Sequence, residues 1–304
     1  MEKDSENDAC LGENDMPDVI QWYTVPEQYD KDDKWYLSVM SAFYDYRIGK
    51  QQQENRSLAA YQIEKNPESQ PKFTCVYFYD NLTYTATVEG YFYTSYIFYC
   101  PMFKLKRFKH AKRISRDQIP EAVSLIRNDT FNEEVINWTI PVVNLYRRKI
   151  DRFSMISDQN GSLSIPVDNA RKLAICVGIM FGYQPWLTVL QFIEFHRMQG
   201  VEKFLFFYSS MHESIKEIFE WYKVNVPGLI ETIYWLPPHF TCDHEYRCQL
   251  LRDNYCSYTL MHKYKYVANS DYDELFYPAD IENKTLLDLL DEIDDETRGS
   301  FTFR

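Results

Sequence analysis

Two hydrophobic rhythms divide the chain. Between Trp35 and about position 149 the apolar positions come in short β-branched and aromatic runs: WYLSVMSAFYDYR (35–47), FTCVYFYD (73–80), LTYTATVEGYFYTSYIFYCPMF (82–103) and INWTIPVVNLYRRK (136–149). Turn-forming pairs interrupt them at Asp80-Asn81, Glu89-Gly90 and Cys100-Pro101. Such runs predict strands, and together a β-rich, sandwich-like module. DQNGSLSIPVDNA (158–170) is turn-rich and is the best domain boundary.

After that boundary the pattern changes. KLAICVGI (172–179) is a continuous apolar run, the texture of a parallel strand buried on both faces. Pro185 opens a helix whose apolar positions recur at helical spacing, and Gly200 closes it. KFLFFY (203–208) predicts the next strand. Ser210 and Glu213 have capping-box spacing ahead of a second helix, and LIETIYWL (229–236) predicts a third strand. Asp243 to about Lys263 predicts a long helix capped by Thr241 or Asp243, followed by a strand at KYVAN (265–269). ENKTLLDLLDEIDDE (282–296) reads as an acidic amphipathic helix with a solvated face. The expected class is α/β: a doubly wound, mostly parallel sheet preceded by the β-rich module. The expected division is an acidic disordered tail (1–18), the β-rich module (19–168) and the α/β part (169–304).

Composition narrows the function. The 304 residues are 45% apolar and 17% aromatic, with 25 Tyr and 20 Phe, so a sizeable core is available. Tyr-rich strand faces suit either core packing or stacking on sugars. The basic run KLKRFKHAKRISR (104–116) reads as a solvated strand edge or as an attractor of anionic glycans or headgroups. Acidic side chains outnumber basic ones, 45 to 33, for a formal charge of −12. That excludes a nucleic-acid binder held by phosphate contacts and disfavours a metal nuclease. No run of about 20 apolar residues is present, and the N-terminus has no apolar signal core.

These absences point to the cytosol, whereas six Asn-x-Ser/Thr acceptors, at Asn55, Asn81, Asn128, Asn137, Asn160 and Asn283, point to a lumenal compartment. Chance supplies about two. A lumenal chain with no leader of its own implies an N-terminal anchor missing from this sequence. Cys75 and Cys100 fall in neighbouring strand-like segments and fit either a disulfide or two buried thiols.

Candidate chemistry lies where the strand at 265–269 ends. Asp271, Tyr272, Asp273 and Glu274 follow it directly. In an open parallel sheet, ligands bind outside the carboxyl ends of the strands. Two Asp at i and i+2 there offer hard oxygen ligands to one divalent cation, with open positions left for phosphate oxygens. A second triplet, Asp30-Lys31-Asp32, has no such placement and reads as a surface accident. His239, Cys242, His244, Cys248 and Cys256 match no common zinc ligand order and read as packed thiols or a disulfide within the set. Phosphate-loop, dinucleotide, serine-hydrolase and zinc-protease motifs are all missing.

WLTVLQFIEFHRMQGVEKFLFFYSS (186–210), WYKVNVPGLIETIYW (221–235), Gln249, Asp253, Cys256 and YKYVANSDYDELFYP (264–278) together resemble glycosyltransferase family 92. SAFYDYR (41–47), YIFYCP (96–101) and KLAICVGIMFG (172–182) extend the resemblance over most of 35–280. It implies a GT-A fold, a UDP-galactose-like nucleotide-sugar donor, a divalent cation such as Mn²⁺, an inverting reaction and glycan acceptors in the secretory pathway, at the Golgi. By this resemblance Asp271 and Asp273 are metal ligands. Glu194, His196, Gln249, Asp253 and Glu274 fall in nucleotide-sugar-binding blocks, Glu274 as support for the ligands. The membrane is expected as a partner only through an anchor absent from this chain. The catalytic base is not identified by the resemblance; Asp280 and Glu282 are the local candidates. Members usually continue well past the acidic motif, so the competing expectation is a catalytically incomplete pseudoenzyme, or a glycan-binding or interaction protein, that retains only the nucleotide-binding half.

Overall fold

The computed structural model describes residues 23–24, 35–45, 54–63, 72–79, 84–89, 91–94, 97–101, 106–107, 120–127, 140–143, 172–235, 249–261 and 263–294. The tail at 1–18, the boundary at 158–170, the Asp30-Lys31-Asp32 triplet, and His239, Cys242, His244 and Cys248 lie outside them.

The first ten strands are β1 (Tyr23–Thr24), β2 (Trp35–Asp45), β3 (Glu54–Ile63), β4 (Phe73–Tyr79), β5 (Tyr84–Glu89), β6 (Tyr91–Thr94), β7 (Ile97–Pro101), β8 (Lys106–Arg107), β9 (Ala122–Arg127) and β10 (Ile140–Val143). They form one sheet in the order β6-β7-β3-β2-β10-β9-β4-β5-β8, with β1 added against β2. All pairings are antiparallel except β10 with β2. Four strands separate β7 from β4 along this order, yet Cys75 and Cys100 form a disulfide between them with Cα atoms 5.8 Å apart. The sheet therefore curls until its two halves face each other. Tyr77 OH donates to the Cys100 carbonyl, and Phe73 packs edge-on to Phe98 at 5.7 Å.

The second sheet is wholly parallel: β11 (Leu173–Met180), β12 (Lys203–Tyr208), β13 (Ile230–Tyr234) and β14 (Tyr266–Ser270), in the order β13-β12-β11-β14. Helices α1 (Trp186–Met198), α2 (Glu213–Asn225), α3 (Gln249–Leu260) and α4 (Leu286–Ile293) accompany it. Period-two alternation sends Leu173, Ile175, Val177, Phe204 and Phe206 into one core with α1, α2 and α4. Ala174, Cys176, Leu205 and Phe207 enter a second core with α3. Both faces are covered, which is why the strands read as unbroken apolar runs. The first two crossovers step one way across the sheet and the third steps back past β11. A right-handed crossover in the reverse direction must put its helix on the opposite face, as α3 is.

Helix α3 also joins the two sheets. Met40 and Phe43 of β2 and Tyr99 of β7 share its core, and Phe43 stacks on Tyr258 at 5.5 Å. A second disulfide, Cys176–Cys256, ties α3 to β11. This corrects the expectation that Cys256 stays unpaired or pairs within its local His/Cys set: its partner is 80 residues away in sequence. The capping expectation for α2 is also corrected. His212 is the N-cap, its Nδ1 accepting from Ser214 N at 3.3 Å, because Ser210 is engaged elsewhere. The acidic helix is shorter than the 282–296 pattern; a capping box between Thr285 and Asp288 sets its start. No helix among the described residues is long and apolar enough to cross a membrane.

Candidate functional site

The order β13-β12-β11-β14 places a topological switch between β11 and β14: β12 and β13 are added on one side of β11 and β14 on the other. A crevice opens at the carboxyl ends of such a pair. Val177 pairs with Ser270 at the last rung, so Gly178 on β11 and Asp271 just past β14 meet at that point. A Cβ built on Gly178 would overlap Asp271 Oδ1 and lie 3.0 Å from its Cγ. Glycine in an otherwise apolar strand is thus what lets the carboxylate lie over the strand end.

The turn holding the acids is built by Glu274. Its Oε2 accepts from Asp271 N at 3.1 Å and from Ser270 Oγ at 3.3 Å, and Glu274 N donates to the Asp271 carbonyl at 3.2 Å. Asp271 and Asp273 remain exposed. Partial burial pushes the Asp271 carboxyl up, as do the charges of Glu274 and Asp273, while Arg252 pulls it down.

Helix α3 runs antiparallel to the strands, so its first turn lies at the same rim. Asp253 approaches closely enough to feel the charge of Asp271, which helps push its carboxyl up. Arg252, 1% exposed, holds the base of this cluster. Its Nη2 is 2.7 Å from Asp253 Oδ1, Nη1 donates to the Cys176 carbonyl at 3.3 Å, and the guanidinium lies over the Phe207 ring at 5.8 Å. Arg252 Nε and Asp253 Oδ1 have no hydrogen-bond partner among the described residues, so the two side chains meet as an ion pair. Burial pulls the Arg252 guanidinium down and the Asp253 carboxyl up; each is partly offset by the other's charge. Gln249 stands one turn before Asp253 on α3. The loops after β11 and β12 close the rim beside them: Gly182 N donates to Ser210 Oγ at 2.8 Å, and buried Gln184 accepts from His212 N at 3.4 Å.

The structure thus gathers Asp271, Asp273, Glu274, Asp253 and Gln249 at the rim, but not Glu194 and His196. Glu194 Oε1 accepts from Arg197 Nη1 at 2.7 Å and from Tyr222 OH, facing α2. His196 is buried; its Nδ1–H donates to the Phe192 carbonyl at 2.8 Å and its Nε2 accepts from Phe276 N at 3.1 Å. Both ring nitrogens are spent on backbone, and burial pulls the imidazole pKa down, so it is neutral. His196 positions the segment leaving the rim, and its side chain offers a nucleotide nothing. Asp280 and Glu282 lie on the turn into α4, whose anchors Gln199, Lys172 and Lys265 are at the amino edge of the sheet. That is the edge opposite Asp271, which removes both as candidates for the base.

A 780 Å³ cavity also opens at the amino edge, among Lys203, Leu229, Glu231 and Tyr264. The carboxylates and the switch point are at the opposite edge. Among the described residues no three His, Cys, Asp or Glu side chains are arranged to hold a metal ion by themselves. Two exposed carboxylates in a glycine-opened cradle, crowded by further acids, still fit a cation that takes its other ligands from a phosphate-bearing molecule and water.

Gly178, Arg252 and Cys176 are the site-building residues that reading the sequence missed. Only Gly178 had a local signal, as a glycine inside a strand pattern. Residues 171–304, a little under half of the chain, match the family model for glycosyltransferase family 92. No curated protein matches the chain.

Proposed function

We propose that residues 171–304, which match the glycosyltransferase family 92 model, carry the nucleotide-sugar-binding site of a GT-A domain. In this reading the protein transfers a hexose, galactose from UDP-galactose, to a glycan acceptor with inversion, in the Golgi lumen. The observation that carries the reading is the placement of Asp271 and Asp273 at the β11/β14 switch point, where Gly178 leaves room for a carboxylate over the strand end.

Asp271 and Asp273 are the residues that would hold Mn²⁺ or a similar divalent ion. A cation bound there supplies charge neutralisation for the departing nucleotide diphosphate. Glu274 fixes the backbone of the turn so that both acids face outward. Arg252 offsets the mutual repulsion of Asp253 and Asp271 when the site is empty. Gln249 and Asp253, on the first turns of α3, would receive hydroxyl and amide groups of the donor in this reading.

Titration calorimetry of UDP with and without Mn²⁺ tests the site. Asp271→Ala should abolish the Mn²⁺-dependent part of binding and lower transfer on the order of 10²-fold or more. If Asp271→Ala binds as wild type does, the metal assignment is wrong. Transfer from UDP-galactose to glycan acceptors by the 304-residue chain separates an enzyme from a protein that only binds.

A further inference from the structure

We propose that Asn283 is an N-glycosylation site, and that its glycan projects from the edge of the parallel sheet opposite the Asp271 rim. The inference rests on the secretory-pathway part of the functional reading and is independent of catalysis.

Asn283-Lys284-Thr285 carries the acceptor amide and the hydroxyl two residues on that the transfer requires. Of the six such triplets, four have their Asn outside the described residues, and Asn55 lies within β3, paired to strands on both sides. Asn283 is different. It is exposed in a turn closed by its own N–H donating to the Asp280 carbonyl at 3.2 Å. Its Nδ2 donates to Asp280 Oδ1 at 2.7 Å.

Chemically, Nδ2 attacks the anomeric carbon of a lipid-linked oligosaccharyl diphosphate. The new C–N bond replaces the C–O bond to the diphosphate, which departs with the lipid, and one Nδ2 proton is lost. The second Nδ2 proton remains, so the bond to Asp280 survives modification. The folded protein can accommodate the product because the side chain already faces solvent.

The location follows from what anchors the next helix. Gln199 Oε1 accepts from Leu286 N at 2.9 Å, and Asp291 pairs with Lys172 and Lys265, which precede β11 and β14. Those anchors fix the 279–285 turn at the amino edge of the sheet. A bulky glycan there leaves the carboxyl rim open. The two disulfides place the chain in the same oxidising compartment that supplies the glycan donor.

The full chain is isolated from cells that make it, and the peptide carrying Asn283 is analysed by mass spectrometry before and after peptide-N-glycanase in heavy-oxygen water. The expected result is a hexosamine-bearing peptide that collapses to one with labelled Asp at 283. Asn283→Gln should lose one glycan step on a gel and keep UDP binding unchanged. Thr285→Ser, which preserves both the acceptor pattern and the helix cap, should keep the glycan. An unmodified Asn283 in a chain whose Cys176–Cys256 bond is formed overturns the inference while leaving the transferase reading intact. An unmodified Asn283 with reduced cysteines overturns it too, by placing the chain outside the lumen. A glycosylated chain that fails to bind UDP upholds the inference and sinks the transferase reading.

Discussion

Gly178 and Asp271 compete for one volume: the space a side chain at 178 would take is occupied by the Asp271 carboxylate. Gly178→Ala must therefore push Asp271 off the strand end or open the β11–β14 rung beside it. Mn²⁺-dependent UDP affinity is expected to fall about tenfold or more, some 1.4 kcal/mol, as read by calorimetry. Gly228→Ala is the control. Its φ of +86° makes the backbone strained, but nothing lies within 4 Å of the new methyl. It should cost about 1 kcal/mol of stability and leave UDP affinity alone.

Arg252 neutralises acids that would otherwise repel one another at the base of the rim. Arg252→Met leaves Asp253 buried beside Asp271 with no cation. Losing one partner of a buried pair costs about 3–5 kcal/mol. The lower end is expected here, because the Asp253 side chain keeps 23% of its surface exposed. Arg252→Lys keeps the charge but not the fork that reaches both Asp253 and the Cys176 carbonyl, and should fall between the two. Urea denaturation measures both. A wild-type midpoint for Arg252→Met would show that the pair contributes nothing net.

His196 gives the fold an acid-sensitive joint. Burial lowers its folded-state pKa below the ordinary 6.5, so below that value the unfolded chain binds a proton that the folded chain refuses. The stability it contributes is whole above about pH 6.5 and is lost as pH falls from there towards the folded pKa. The melting temperature should drop over that window, and the drop should shrink in His196→Gln. An unchanged pH profile in the variant would mean that other groups cause the loss.

The Cys176–Cys256 bond closes a loop of 80 residues. Replacing both cysteines by Ala should cost about 2–4 kcal/mol, and UDP binding should weaken as α3 loosens from β11. Reductant should shift the wild type by more than it shifts the double variant, which keeps only the Cys75–Cys100 bond to lose.

Much of the fold was legible in the order of residues. Apolar runs such as 172–179 and 203–208 marked strands buried on both faces, because a strand with no polar positions has nowhere else to go. Pro185 and Gly200 marked the ends of α1, since one has no N–H to lose and the other accepts the φ of +92° that closes the helix. The placement of Asp271 and Asp273 after a strand was equally visible. The Cys75–Cys100 bridge was left open between two readings, because strand neighbours in sequence are not necessarily neighbours in a curled sheet.

What the chain's order left undecided was everything that depends on non-local approach. Cys256 found Cys176 rather than a nearby cysteine, and Arg252 found the Cys176 carbonyl, because the reversed crossover lays α3 across β11. The same reversal created the switch point that gives Asp271 its crevice. His196, with the polarity of a ligand-binding residue, was spent on Phe192 and Phe276 once burial demanded partners for both nitrogens. Local pattern fixes which way a segment coils and which side it hides; only packing in three dimensions decides which hidden sides meet, and the site is made of such meetings.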